Sequence, residues 1–200
     1  MKNGIFITID GPNGVGKSSF IDALSKKLSQ SFPCFLTREP SPTEFGDFVR
    51  KYEHHLSSAS YAHLIWSDRY FHIENFVLPE LETGKVVISD RYIESSFVLQ
   101  GFDGLPINAI WEMNKDFIIP DISIILLATP TILEERLSTR SCLTRYERKI
   151  TRDQEVYAYR EAVDYLTSKG FNFLVLENDT LEDFSKNISE VYDRVCALMR

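Results

Sequence analysis

The sequence predicts an α/β fold in which helices flank a five-stranded parallel sheet. Short apolar runs recur along the chain, and segments with helical spacing of apolar residues separate them. Strands that alternate with helices are joined by right-handed crossovers, which make the strands parallel. A glycine-rich turn also joins the first strand to the first helix, at the end of the sheet where such folds bind ligands.

Each element follows from a local pattern. The predicted strands cover residues 4–10, 34–37, 86–88, 122–127 and 171–176. Four predicted helices span residues 57–83, 130–140, 151–169 and 181–199. Two more are predicted to begin near residues 17 and 92. Gly84 should end the longest helix, Pro79 should bend or interrupt it, and Pro40 and Pro42 should stop regular structure after the second strand. Residues 1–200 are expected to form one domain.

Composition and charge exclude several classes of protein. The net charge of −7 disfavours a nucleic-acid-coating surface, because such surfaces carry a basic footprint. No apolar run reaches the roughly eighteen residues that span a bilayer, and no signal-peptide pattern precedes the first strand. We therefore expect no membrane partner and a cytoplasmic location. Cys34, Cys142 and Cys196 lack the CxxC spacing of zinc or redox sites and are interpreted as reduced thiols.

The glycine-rich turn has the spacing of a phosphate-binding loop. Gly11, Gly16, Lys17 and Ser18 satisfy GxxxxGK[ST] between a strand and a helix, a context that disfavours a chance match. Its amides can surround phosphate, Lys17 can reach the outer phosphates, and the Ser18 hydroxyl can bind Mg²⁺. The sequence thus predicts the fold of the P-loop NTPases with the loop at residues 11–18. The predicted nucleotide-binding residues are Gly11, Asn13, Gly14, Gly16, Lys17, Ser18 and Ser19.

Three further blocks, taken with the P-loop, resemble the thymidylate kinase family. They are TREP at 37–40, SDRYFH at 67–72 and DRYIESSFVLQG at 90–101. Their order and spacing agree with the family over roughly the first 150 residues. The resemblance implies that ATP, with Mg²⁺ as cofactor, donates its γ-phosphate to a nucleoside monophosphate, with dTMP favoured. It also implies a homodimer formed through helices such as 57–83.

The resemblance assigns acceptor residues, and each has a chemical rationale. Arg38 and Arg91, just past strand ends, would hold the doubly charged acceptor phosphate bidentately, unless they form surface ion pairs. Asp90 would bind Mg²⁺ together with Ser18, although it could also cap the following helix. Arg69 would contact the pyrimidine edge, with a solvated helix face as its alternative. The other implied acceptor residues are Ser96, Ile65, Leu99 and Gln100.

A basic stretch at about 136–152 lies where the family has its LID, a segment that closes over ATP. Its only acid is Glu147, and its bases are Arg136, Arg140, Arg145, Arg148, Lys149 and Arg152. A closing arginine can stabilise the charge on the transferring phosphoryl group. Because the P-loop contains no arginine, Arg140 or Arg145 is predicted to act with Lys17 and Arg91 in catalysis. A solvated run of charges is the alternative.

Several departures from the family pattern cluster at the acceptor site. Asn13 stands in place of an aspartate, Leu99 in place of a tyrosine, and Ile65 in place of a phenylalanine that would stack on the base. The adjacent Trp66 could supply an aromatic face instead. The segment after TREP is also shorter, with only residues 41–43 in place of PGGT. These changes leave open another acceptor, such as a modified or ribose-containing pyrimidine monophosphate.

Two other functions compete with this hypothesis. A deoxynucleoside kinase would need a general base near the first strand, and Asp10 or Glu39 could serve. The arginines at 38 and 91 disfavour it, because a neutral nucleoside has no phosphate for them to hold. A non-catalytic nucleotide-binding regulator is the second alternative. The complete set of transfer residues disfavours that function.

Overall fold

A computed structural model describes residues 4–138 and 145–199. The strands are β1 Ile5–Asp10, β2 Cys34–Arg38, β3 Val86–Asp90, β4 Ile122–Leu127 and β5 Phe173–Glu177. All neighbouring pairs are parallel, and the order across the sheet is β2-β3-β1-β4-β5. The predicted five-stranded parallel sheet is confirmed. β5 begins two residues after its expected start, because the Phe171 N–H is bound to the Leu166 carbonyl at the end of α9 rather than to the sheet.

The helices are α1 Lys17–Leu28, α2 Glu44–Tyr52, α3 Ser58–His72, α4 Leu78–Glu82, α5 Ile93–Phe102, α6 Ile107–Asn114, α7 Pro130–Ser138, α8 Arg145–Lys149, α9 Arg152–Thr167 and α10 Leu181–Leu198. A π-helical segment, Ile73–Val77, joins α3 to α4 just before Pro79, where the sequence predicts a bend. The sequence did not predict α2, α6 or α8. Within the described ranges, no helix is both long and apolar enough to cross a membrane.

The alternating side chains of β1 divide the core into two layers. Ile5, Ile7 and Ile9 pack with α1 and α10 on one face of the sheet. Phe6 packs on the opposite face, with α5, α9 and the π-helical segment. Because side chains alternate along a strand, Asp10 shares the face of Phe6 and points toward α5 and α9. This alternation determines which helices surround the first residue before the P-loop.

Candidate functional site

The carboxyl ends of β2, β3 and β1 bring the predicted site residues together. Asp90 is in register with Ile9 on one side and with Arg38 on the other. The ladder continues past the strand ends, because the Arg91 N–H donates to the Ile9 carbonyl at 3.0 Å. Side chains distant in sequence therefore meet at one edge of the sheet, as the parallel fold predicts.

The P-loop enters from β1 through a glycine that the sheet requires. Gly11 has φ 144°, and a Cβ at this position would lie 2.1 Å from the carbonyl oxygen of Leu126 in β4. Gly16 caps α1 with φ 101°, a left-handed conformation that favours glycine. The first helical residue is then Lys17. The free amides at the start of α1 therefore face the space where a phosphate would bind.

Lys17 is held across the P-loop by two carbonyl groups. Its ammonium donates to the Gly11 oxygen at 2.6 Å and to the Pro12 oxygen at 2.9 Å. Burial lowers the pKa of Lys17 to about 7, and the nearby charge of Arg91 acts in the same direction. A phosphate bound beside Lys17 would favour its charged form.

A cavity of about 320 Å³, here called the P-loop cavity, lies in front of this loop. It is lined by Asn13, Gly14, Gly16, Lys17, Ser18, Ser19, Asp90, Arg91 and Arg136. The predicted nucleotide-binding residues therefore converge, apart from Gly11, which shapes the entry to the loop instead. Arg136 also donates to the carbonyls of Val15, Asn178 and Asp179, which connects α7 to the P-loop.

Asp90 and Ser18 fit a divalent cation. Asp90 Oδ1 is buried and has no hydrogen-bond partner in the described part of the chain, and both residues line the P-loop cavity. Burial raises the pKa of the Asp90 carboxyl, while Arg91 and Lys17 oppose the shift. Mg²⁺ is commonly held by one or two protein oxygens plus substrate phosphates, so this sparse set suffices. Residues 4–138 and 145–199 hold no cluster of three His, Cys, Asp or Glu ligands.

The alternative role of Asp90 as a helix cap is wrong. The residue that caps α5 is Tyr92, and no side chain accepts a hydrogen bond there. The strand continues to Asp90 itself, and Arg91 then takes a φ of 74° before the helix begins. This geometry leaves the Asp90 carboxylate at the cavity rather than over the first turn of α5.

A second cavity of about 330 Å³, here called the arginine cavity, adjoins the first. All seven predicted acceptor residues line it: Arg38, Ile65, Arg69, Arg91, Ser96, Leu99 and Gln100. Three residues, Asn13, Asp90 and Arg91, line both cavities and so stand at their junction. The two cavities can therefore hold two ligands whose reactive ends meet beside Arg91.

Arg91 is oriented by four groups. Its Nη1 contacts Ser95 Oγ at 3.0 Å, Asp10 Oδ1 at 3.3 Å and Tyr159 Oη at 3.4 Å. Its Nη2 donates to Asn13 Oδ1 at 2.8 Å. The positive φ of Arg91 is rare for a residue other than glycine, and such strain clusters at functional sites. Arg91 is thus a fixed cation at the boundary of both cavities.

Arg38 and Arg69 differ in what surrounds them. Arg38 is exposed, and it has no ion-pair partner among residues 4–138 and 145–199, so the surface ion-pair alternative is wrong for this residue. Arg69 is only 2% exposed, which overturns the solvated helix face. Its guanidinium donates to Glu39, Asn114, the Tyr92 carbonyl and Ser96. Arg38 is available to bind an anion, whereas most of the N–H donors of Arg69 are bound to protein groups that surround the cavity.

The arginine cavity also has aliphatic and aromatic lining residues. Ile65 and Leu99 line it, but Trp66 does not, because its ring packs on Tyr70 and Phe117. The suggestion that Trp66 replaces the missing aromatic face is therefore wrong. The aromatic lining, which the sequence did not predict, consists of Tyr61, Tyr92 and Tyr146. Gln100 is 2% exposed and its side-chain amide forms no hydrogen bond with any described residue, so this amide can bind a ligand.

The shortened segment after TREP has its own supports. Asp68 on α3 accepts hydrogen bonds from the Ser41 N–H and the Ser41 hydroxyl, both at 2.6 Å. Arg50 on α2 donates to the carbonyls of Pro40 and Ser41 at 2.5 and 2.9 Å. These contacts fix residues 40–41 beside Arg38. A shorter loop therefore still forms an ordered wall of the arginine cavity.

The structure describes the side chains of some basic residues in the predicted LID but not those of Arg140 and Arg145. Arg140 lies outside the described residues, and Arg145 begins α8 without a described side chain. Arg136, Lys149 and Arg152 are bound to protein groups, so they are not simply a solvated run of charges. The role of Arg140 or Arg145 stays a prediction.

The two candidate bases of a deoxynucleoside kinase, Asp10 and Glu39, differ in how many of their oxygens are bound. Asp10 is fully buried and accepts from the Gly11 N–H, Ser95 Oγ and Tyr159 Oη at 2.6 to 2.8 Å. Glu39 Oε2 accepts from Arg69 at 2.7 Å, but Glu39 Oε1 has no hydrogen-bond partner in the described residues, and Glu39 lines the arginine cavity. A general base needs a free lone pair within reach of the substrate. The geometry therefore gives Asp10 the role of a structural acceptor behind Arg91.

Glu94 lies beneath the site and takes no part in lining either cavity. It is 1% exposed, accepts from Thr8 Oγ1 at 2.9 Å, and leaves Oε2 without a partner in the described residues. Burial raises the pKa of Glu94 to about 7, and the charge of Asp10 adds to this effect. Its ionised form is thus unfavourable in the folded protein.

Glu94→Gln is expected to stabilise the protein at alkaline pH. The raised pKa means that the folded state binds more protons than the unfolded chain between pH 4.5 and about 7, so wild-type stability falls across this window. Above the window, the variant should exceed wild type by about 3 kcal/mol, and the difference should vanish toward pH 4.5. Urea unfolding at several pH values measures it. The exposed Glu190→Gln is the control, and a pH-independent difference would contradict the assignment.

Comparisons with known proteins agree with this geometry. The sequence profile of the family described as "Thymidylate kinase" matches residues 9–188. The chain is 35% identical to a probable thymidylate kinase of Caldivirga maquilingensis, over 78% of this chain and 80% of the relative. It is 32% identical to a thymidylate kinase of Caldicellulosiruptor saccharolyticus, over 95% of this chain and 96% of the relative.

Proposed function

The chain belongs to the thymidylate kinase family, and from this premise we propose that it transfers the γ-phosphate of ATP to a nucleoside monophosphate. The favoured acceptor is dTMP, and the products are dTDP and ADP. The observation that carries the proposal is the junction of two cavities at Asn13, Asp90 and Arg91. ATP occupies the P-loop cavity, and the monophosphate occupies the arginine cavity.

The chemistry needs positioning and charge more than a base. A phosphate monoester has a second pKa of about 6, so the acceptor is already an anion near neutral pH. One of its oxygens attacks the γ-phosphorus, the bond to the bridging oxygen breaks, and ADP leaves with that electron pair. Lys17 stabilises charge on the transferring group, while Arg91 and Arg38 hold the attacking phosphate. No covalent enzyme intermediate is required.

Asp90 and Ser18 would hold Mg²⁺, supported by the unpartnered Asp90 oxygen in the P-loop cavity. The ion would supply charge neutralisation at the phosphate oxygens. Asp90 and Ser18 would also restrict the orientation of the phosphate chain relative to Lys17. Arg140 or Arg145 would add a further cation from the LID.

The uncharged lining residues of the arginine cavity support a pyrimidine acceptor. Gln100 and Ser96 offer polar groups beside Arg69, and they can bind the edge of a base by hydrogen bonds. Ile65 and Leu99 add aliphatic surface against its ring. A site built to hydrogen-bond one edge rejects bases that lack the matching groups, because buried partners would be left unpaired.

The proposal is tested by ADP production from ATP and Mg²⁺ with a panel of nucleoside monophosphates. We expect kcat/KM for dTMP to exceed that for thymidine by at least about 1,000-fold, because thymidine has no phosphate for Arg38 and Arg91. The panel includes dUMP, UMP and dCMP, since Ile65 and Leu99 alter the family pattern. Equal rates with thymidine and dTMP would contradict a monophosphate kinase, and no turnover of any monophosphate would favour a non-catalytic regulator.

A further inference from the structure

Helix α9 contacts the P-loop through a buried carboxylate. Glu155 is 2% exposed, and its Oε1 accepts the backbone N–H of Asn13 at 3.0 Å. A buried carboxylate is unfavourable unless donors surround it, so this position needs the contact. The Asn13 amide is therefore bound to α9 by a residue that lines neither cavity.

The second carboxylate oxygen is held by Arg152, one turn earlier on α9. Arg152 Nη1 donates to Glu155 Oε2 at 2.9 Å, and its Nη2 donates to the carbonyls of Glu147 and Ile150. Arg152 is 4% exposed. It therefore ties the segment that precedes α9 to the carboxylate and leaves Glu155 with a donor on each oxygen.

Asn13 carries this connection to Arg91. While its amide binds Glu155, its side-chain Oδ1 accepts from Arg91 Nη2 at 2.8 Å. The three other contacts of the Arg91 guanidinium all involve Nη1. Within residues 4–138 and 145–199, Asn13 is thus the single group that holds Nη2. Without it, the guanidinium could pivot about Nη1.

We propose that Glu155 is a positioning residue for Arg91 and that it acts through Asn13. This role rests on the proposed function, because it concerns how the acceptor phosphate is held. A bidentate contact needs both Nη atoms in one plane with the phosphate oxygens, so a small rotation of the guanidinium weakens it. Glu155 fixes the loop residue that prevents this rotation. Asn13 brings no charge of its own, and Glu155 supplies the carboxylate that binds its backbone amide.

The first test is Glu155→Gln. An amide of the same shape cannot accept from both Asn13 and Arg152, because its NH₂ group faces one of the two donors. We expect the KM for dTMP to rise about 10-fold, while the KM for ATP changes less than about 3-fold. The matched control is Glu161→Gln on the exposed face of α9, which should leave both constants unchanged. Equal increases in both KM values would overturn the proposal.

The second test is Asn13→Ala, which removes the oxygen that holds Arg91 from a partly exposed loop position. It should raise the KM for dTMP to a similar extent. In this background, Glu155→Gln should add less than about 2-fold, because the two residues act in series. Fully additive effects would overturn the role of Glu155. An unchanged KM in Asn13→Ala would overturn it even if Glu155→Gln failed to fold.

Calorimetry with dTMP separates this proposal from the proposed function. An active wild-type protein whose Glu155→Gln variant binds dTMP with unchanged Kd would overturn the positioning role alone. A wild-type protein that turns over no monophosphate would overturn the proposed function, and the role of Glu155 with it. A weaker Kd for dTMP in the variant, with turnover in the wild type, is the expected result.

Discussion

Lys17→Ala is expected to lower kcat at least about 1,000-fold, the largest loss among the substitutions considered. The ammonium bridges the Gly11 and Pro12 carbonyls and lines the P-loop cavity, so its removal deletes the cation that we propose to stabilise the transferring phosphate. The loss corresponds to about 4 kcal/mol of transition-state stabilisation. Steady-state ADP production with dTMP measures it.

Lys26→Ala is the matched control for this result. Lys26 lies on the same helix, but it is exposed, and its ion-pair partner among the described residues is Asp22, at 2.8 Å. Activity should stay within about 2-fold of wild type, because exposed pairs of this kind contribute little. Lys17→Ala protein that kept its turnover would contradict the assignment of the P-loop cavity to ATP.

Arg91→Lys is expected to raise the KM for the acceptor about 100-fold with a much smaller change for ATP. Lysine keeps the charge next to Asp10. Its single ammonium cannot contact both Asn13 and the residues that bind Nη1 of the wild-type arginine. Lysine and arginine meet the same backbone restriction at the φ of 74°, so the exchange isolates the side chain. Initial rates at varied dTMP measure the change.

The conservative exchange also protects the fold. Removing all charge at position 91 would leave Asp10 as a buried carboxylate without its cation, so loss of activity could reflect unfolding. Thermal unfolding of Arg91→Lys should therefore remain close to wild type. An unchanged acceptor KM in a folded variant would contradict the placement of the monophosphate in the arginine cavity.

The strands, the P-loop and the family were predictable because their signals are local. The GPNGVGKS turn and the apolar run of 122–127 each carry their own pattern, and the family match over residues 9–188 confirms the resemblance. Helix α2 was not predicted from the sequence because it begins just after Pro42. Thr43 caps this helix by accepting a hydrogen bond from the Gly46 N–H. Pro40 and Pro42 follow the end of β2, but they do not prevent α2 from starting at Glu44.

The support of the site was not predictable, because its contacts join distant parts of the chain. Tyr159 and Asp10 are 149 residues apart and meet only because α9 packs on the face of β1 that carries Asp10. Arg69 lines the arginine cavity, and it is buried in an ion pair with Glu39, 30 residues away, rather than exposed on a helix face. Such pairings depend on strand order, which no local pattern contains.

The entry to the P-loop also affects how substitutions there should be interpreted. A Cβ added to Gly11 would lie 2.1 Å from a carbonyl oxygen of β4. Strand β4 lines neither cavity. A larger residue would have to separate β1 from β4 whether or not a nucleotide binds. Inactivity of a Gly11 variant would therefore be ambiguous, whereas Lys17 and Ser18 report on the ligand itself. A relative that had lost catalysis would still need glycine at position 11.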